Sequence, residues 1–155
     1  LNYENMKTIL ISLLLLPLLS LANDHKLLCK GKEIKYLQDD PSPKGVITKV
    51  IGIQLYKEGM RLDGKWFDNK SDLTEDYSLE RNYVKSKDNI SGARNFSTNS
   101  LIEGRKIQIV KIDKVEINIP SNDIFWTYEF NRVDITKAEA NVIYTFRKDF
   151  KGTCK

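Results

Sequence analysis

The feature that most constrains this chain is the two-residue alternation in the two runs that close it. Two runs, IFWTYEFNRV and ANVIYTFRKDFKGTC, are joined by a polar corner. Ile124, Trp126, Tyr128 and Phe130 fall on one face of the first run. Val142, Tyr144, Phe146 and Phe150 fall on one face of the second, with Lys148 the single break. Side chains alternate across a strand, so this pattern predicts two half-buried antiparallel strands with a common apolar face. The second run ends at Cys154, whose one possible partner in the chain is Cys29. A core hairpin tied back to the opening strand is the frame of a closed or strongly curved β protein.

Residues 1–22 read as a secretory signal with a few residues upstream of it. Met6-Lys7 is followed by the apolar run ILISLLLLPLLSLA, with Ser20 and Ala22 as the small residues a signal peptidase requires. Cleavage is expected between Ala22 and Asn23, leaving 23–155 as a single β domain. The run is short of the roughly 20 apolar residues of a membrane helix, and Pro17 interrupts it. No membrane span is expected in the mature chain, and the expected location is periplasmic or secreted. In an oxidising compartment two cysteines pair, so a Cys29–Cys154 disulfide is predicted. It closes a loop of about 125 residues, for which chain entropy gives ~4–5 kcal/mol.

Between signal and hairpin the chain reads as short strands divided by turns. VITKVIGIQLYK places Ile47, Ile51, Ile53 and Leu55 on one face. MRLDGKWF follows a turn at Lys57-Glu58-Gly59, with Leu62 and Trp66 read on one face. Asp63-Gly64 is a tight hairpin turn or a bulge, and the bulge is preferred because the turn leaves very short strands. Ser71 or Asp72 caps one short helical turn. The stretch 87–100 is the longest polar segment and reads as an exposed loop, or a loop around a short irregular strand. The expectation is therefore all-β: an antiparallel meander of about eight strands forming a curved sheet or closed barrel.

Chemistry is harder to place. The chain carries 25 Lys and Arg against 21 Asp and Glu, interleaved without a like-charge block, so no nucleic-acid partner is expected. The single histidine, His25, stands near the mature N-terminus, which disfavours a His-dependent nucleophile. No phosphate loop, zinc-protease or calcium motif occurs, no catalytic residue is assigned, and no cofactor is expected. A hydrolase built on a carboxylate pair stays open as an alternative. Cleavage after Ala22 leaves Asn23-Asp24-His25, whose amine, amides and imidazole suit Cu(II) or Ni(II) in a square plane. Trp66, Tyr83, Trp126, Tyr128, Tyr144 and Phe146 are candidates either for core filling or for the wall of an apolar ligand pocket. Ser91, Gly92, Arg94 and Phe96 are candidates for a partner-binding loop. Asn69, Asn89 and Asn95 each begin an Asn-X-Ser sequence.

Cys29-Lys30-Gly31, LDGKWF at 62–67, Asn131-Arg132 after an aromatic strand, and the closing Phe150-Lys151-Gly152-Thr153-Cys154 resemble small uncharacterised periplasmic β proteins of Gram-negative bacteria. Those proteins carry Thr-Gly after the Asn-Arg, where this chain has Asp134-Ile135. The resemblance implies location and β character, not activity. A shorter stretch, Ser91-Gly92-Ala93-Arg94-Asn95-Phe96, is similar to the Ser-Gly-aromatic inhibitory loop of periplasmic C-type lysozyme inhibitors, and implies a lysozyme-like partner for 87–100. The function expected from these readings is non-enzymatic binding, of a small apolar ligand in the β core or of an envelope protein.

Overall fold

Segments rich in β-branched and aromatic residues, divided by short turns, leave this chain one economical outcome, a single antiparallel sheet. The computed structural model describes residues 25–38 and 40–155. Its strands are β1 (His25–Leu37), β2 (Gly45–Tyr56), β3 (Gly59–Leu62), β4 (Lys65–Phe67), β5 (Ser71–Leu73), β6 (Tyr77–Lys85), β7 (Asn89–Ile102), β8 (Arg105–Asn118), β9 (Asp123–Asp134) and β10 (Asn141–Cys154). All ten join one sheet in the order β4-β3-β2-β1-β10-β9-β8-β7-β6-β5. The all-β antiparallel expectation holds, with ten strands rather than about eight, curled into a half-barrel. The expected signal, with Asn23 and Asp24, lies outside the described residues.

The strand order departs from a simple meander at two places. β1 pairs with β10 as well as with β2, so the segments farthest apart in sequence are neighbours. Conversely β4 and β5, adjacent in sequence, occupy the two opposite edges. The run 65–73 thus starts on the ladder of β3 and ends on that of β6. At this seam the Asn69 side chain substitutes for a ladder rung. Its Nδ2 donates to the Tyr83 carbonyl at 3.1 Å, and its Oδ1 accepts from the Tyr83 N–H at 2.9 Å. One core fills the concave face, built around the fully buried Phe67, Phe150, Ile53, Met60, Leu62 and Val115. Burying a side chain of this size contributes about 1.5–3 kcal/mol.

Cys29 and Cys154 are cross-strand partners on β1 and β10, disulfide-bonded with Cα atoms 3.9 Å apart. Leu28 and Lys155 exchange backbone hydrogen bonds next to them, so the cysteines occupy a non-hydrogen-bonded site, where side chains lie closest. Such a bond forms and persists in an oxidising environment outside the cytoplasm. Two residues on, the paired glycines Gly31 and Gly152 bring the two backbones into contact.

Several expectations are corrected. Asp63-Gly64 is a two-residue hairpin turn, not a bulge. Leu62 pairs with Lys65, and both turn residues have positive φ (49° and 76°), as a type I′ turn requires. The turn reverses the face assignment, so Lys65 joins Leu62 inside while Trp66 points out. A bulge between Val142 and Tyr144 likewise removes Val142 from the Tyr144 face. No helical turn forms at Ser71 or Asp72, which lie in β5. The segment 87–100 is no loop. Most of it is β7, paired along its whole length with β8 and along most of it with β6.

Candidate functional site

Directly paired antiparallel residues point to the same side of a sheet, so the registers define rows that cross the concave face from β1 through β10, β9, β8 and β7 to β6. The core row is Glu33, Phe150, Trp126, Val115, Gly92 and Tyr83. The next is Lys35, Lys148, Tyr128, Asp113, Arg94 and Arg81. The third is Leu37, Phe146, Phe130, Lys111, Phe96 and Leu79. The half-barrel therefore has a packed apolar floor, a charged belt, and above it a second apolar row broken only by Lys111. Leu37 is exposed and the other apolar members of this upper row are half-buried.

The belt is held by β4, the edge strand. Lys65 reaches across the trough and donates from Nζ to both Asp113 oxygens, at 2.9 and 3.1 Å. Trp126 Nε1 donates to the same carboxylate at 3.1 Å. Asp113 is 4% exposed, and these bonds replace the water it has lost. The second buried acid of the floor, Glu33, accepts from Lys49 Nζ at 3.1 Å. Lys65 also lies 4.5 Å from the Tyr128 ring centre. Burial, reinforced by the neighbouring Asp113 charge, pushes the Tyr128 phenol above its ordinary value.

Two cavities open on either side of the Lys65 strut. One, of about 160 Å³, is lined by Glu33, Lys49, Asp63, Lys65, Trp126, Tyr128, Lys148 and Phe150. The other, of about 270 Å³, is lined by Lys65, Leu79, Arg94, Phe96, Lys111, Asp113 and Tyr128. Above them cations stand over aromatic rings: Lys111 at 5.4 Å from Phe96, Lys148 at 5.5 Å from Phe146, and Arg132 at 5.7 Å from Phe130. Their aliphatic stems cover apolar surface while their charges stay in water. The surface so formed is apolar and cationic at once, and suits a molecule with an apolar body and a polar end.

Of the six aromatics singled out from sequence, Trp126, Tyr128, Tyr144, Phe146 and Tyr83 are on the concave face. Trp66 is not: it packs outside against Tyr56, the two rings tilted with centres 4.9 Å apart. Trp126 and Tyr83 are buried in the floor, leaving Tyr128, Tyr144 and Phe146 at the open trough. The four residues expected on a partner loop do not form one surface. Ser91 alternates to the convex face, Gly92 is pressed against Met60 and Phe67, and Arg94 and Phe96 enter the trough. His25 is exposed at the start of β1, and the rest of the Asn23-Asp24-His25 metal motif lies outside the described residues. Sequence reading missed Glu33, Lys49, Lys65, Asp113 and Lys148. Their signal was the parity itself: Lys49 between Ile47 and Ile51, and Lys148 between Phe146 and Phe150, are charges at inward positions. The chain matches no family model, no curated protein and no solved structure.

Proposed function

We propose that this is a binding protein of an extracytoplasmic compartment, the periplasm in a Gram-negative cell, that carries a small amphipathic molecule on its concave face. One observation carries the reading: the half-buried apolar row of Phe146, Phe130, Phe96 and Leu79 lies open above a charged belt rather than sealed inside the core. An open apolar surface beside convergent polar groups is the usual form of a ligand site. The packed floor sets the depth of the site, and the Lys65–Asp113 strut divides it. Carriage requires no covalent chemistry of these side chains. The disulfide supports the compartment, since it stabilises the fold where thiols are oxidised.

The test is binding of the neutral apolar dye N-phenyl-1-naphthylamine, read by its fluorescence. Phe130→Asp places a charge in the upper row and is expected to weaken binding about tenfold or more, from the ~1.5–3 kcal/mol of one buried Phe. Phe125→Asp, on the convex face of the same strand, is expected to leave it unchanged. Equal dye binding by wild type and Phe130→Asp overturns the reading.

A further inference from the structure

The larger of the two cavities holds a feature that the packing of the fold does not use. Arg94 Nε is fully enclosed and, among the described residues, has no hydrogen-bond partner. Its guanidinium carbon lies 5.9 Å from the Phe67 ring centre, so the head sits against the apolar floor. The facing residue on β8 is Asp113, but that carboxylate already accepts three hydrogen bonds from Lys65 and Trp126. Arg81, the next cation in the row, is engaged by Asp68 at 2.9 Å and Asp72 at 3.3 Å. Lys111 borders the same cavity from the upper row and, among the described residues, forms no ion pair. The cavity thus has three cationic side chains, Lys65, Arg94 and Lys111, against one carboxylate. Arg94 is half-buried and, among the described residues, forms no ion pair, since the nearby carboxylates are taken by Lys65, Trp126 and Arg81. The part of its guanidinium that lines the cavity is free to pair with an anion. Burial pushes the Arg94 pKa down; the Asp113 charge opposes this and the Arg81 charge adds to it.

We infer that Arg94 and Lys111 form an oxyanion subsite, so that the ligand of the trough is an anionic amphiphile whose phosphate or carboxylate head enters this cavity. The inference rests on the binding reading above and names its ligand class. The guanidinium fork offers paired donors to a planar or tetrahedral oxyanion, and Lys111 adds an exposed positive charge at the rim. Phe96 and Leu79 flank the head, and the apolar row continues toward Phe130 and Phe146 for the tail. A cavity of about 270 Å³ accommodates a headgroup and not a whole lipid.

The experiment is calorimetric titration of the intact, oxidised protein with decyl phosphate, decanol and inorganic phosphate, at low and at high salt. The subsite predicts decyl phosphate at least tenfold tighter than decanol. It also predicts that Arg94→Met and, separately, the exposed Lys111→Met lose most of that preference while decanol affinity stays within about twofold. High salt is expected to narrow the gap. Decyl phosphate no tighter than decanol, or a preference retained in both variants, overturns the subsite and leaves the apolar trough standing. Inorganic phosphate binding as tightly as decyl phosphate also overturns it, because the apolar row then contributes nothing. If neither decanol nor decyl phosphate binds wild type, the trough reading fails and the subsite with it. If Arg94→Met does not fold, Lys111→Met decides.

Discussion

Substituting Gly31 with alanine tests how β1 and β10 are joined. A Cβ built on Gly31 falls 2.1 Å from the Lys151 carbonyl oxygen and 2.5 Å from the Gly152 Cα. Both are backbone atoms, so no rotamer change relieves the clash and the strands themselves must part. Overpacking in a core that can still adjust its side chains costs about 1–3 kcal/mol. Here the adjustment also breaks ladder hydrogen bonds, each contributing about 0.5–1.5 kcal/mol net. The expected loss is therefore about 3 kcal/mol or more. Gly52 is the internal control, because a Cβ there meets nothing within 4 Å. Gly52→Ala is expected to be neutral or to stabilise by up to about 1 kcal/mol through the unfolded chain. The assay is urea unfolding of the oxidised proteins by tryptophan fluorescence and circular dichroism together. With an m-value of about 1–3 kcal/mol/M, Gly31→Ala lowers the midpoint by about 1–3 M. A Gly31→Ala midpoint within a few tenths of wild type refutes the close approach and the register built on it.

The disulfide and Tyr128 carry the remaining expectations. Cys29 and Cys154 are both almost fully buried, so alkylation of the native protein is expected only after reduction under denaturing conditions. The reduced protein is expected to be less stable by ~4–5 kcal/mol, read from the same urea curves. The Tyr128 phenol is raised above its ordinary value first by burial and then by Asp113, so its phenolate absorbance is expected to appear late in an alkaline titration, in the part of the curve that Tyr128→Phe removes. With the folded value above the unfolded one, its stabilising contribution is complete below pH 10 and is lost as pH rises through the folded value. Tyr128→Phe removes this part of the alkaline destabilisation. An unshifted phenolate titration sinks the claim that Tyr128 is desolvated beside Asp113.

How far the chain can be read without coordinates depended on whether parity ran unbroken. The closing hairpin was legible because Trp126, Tyr128 and Phe130, like Phe146 and Phe150, recur at every second position with mostly polar residues between, and the structure keeps them on one face. The disulfide pairing was legible by elimination. Parity failed where the chain changes phase: the two-residue turn at Asp63-Gly64 put Trp66 outside, and the bulge before Tyr144 put Val142 outside. β7 was illegible for a different reason. Its inward positions mix Ile90 and Phe96 with Gly92, Arg94 and Thr98, and its outward ones include Ser91, Asn95, Ser97 and Asn99, so its hydrophobic period is too sparse to read. What makes it a strand is hydrogen bonding to β6 and β8 on its two sides, a tertiary cause that local propensity does not contain. The trough was hidden likewise, since its belt consists of charged residues that only the register lines up.

The break in strand order at 68–70 carries a kinetic consequence. The β1–β10 ladder joins residues 125 apart in sequence at its disulfide, while every other ladder joins strands that follow one another. That one pairing carries much of the contact order, and contact order slows folding. A circular permutant that opens the chain at the seam and links its present ends has only consecutive pairings. It becomes an ordinary up-and-down meander with the same sheet, and folds faster than the natural order with the disulfide reduced. In the natural order the oxidised bond does the same work in advance, since it holds the most distant ladder together before any other strand has formed.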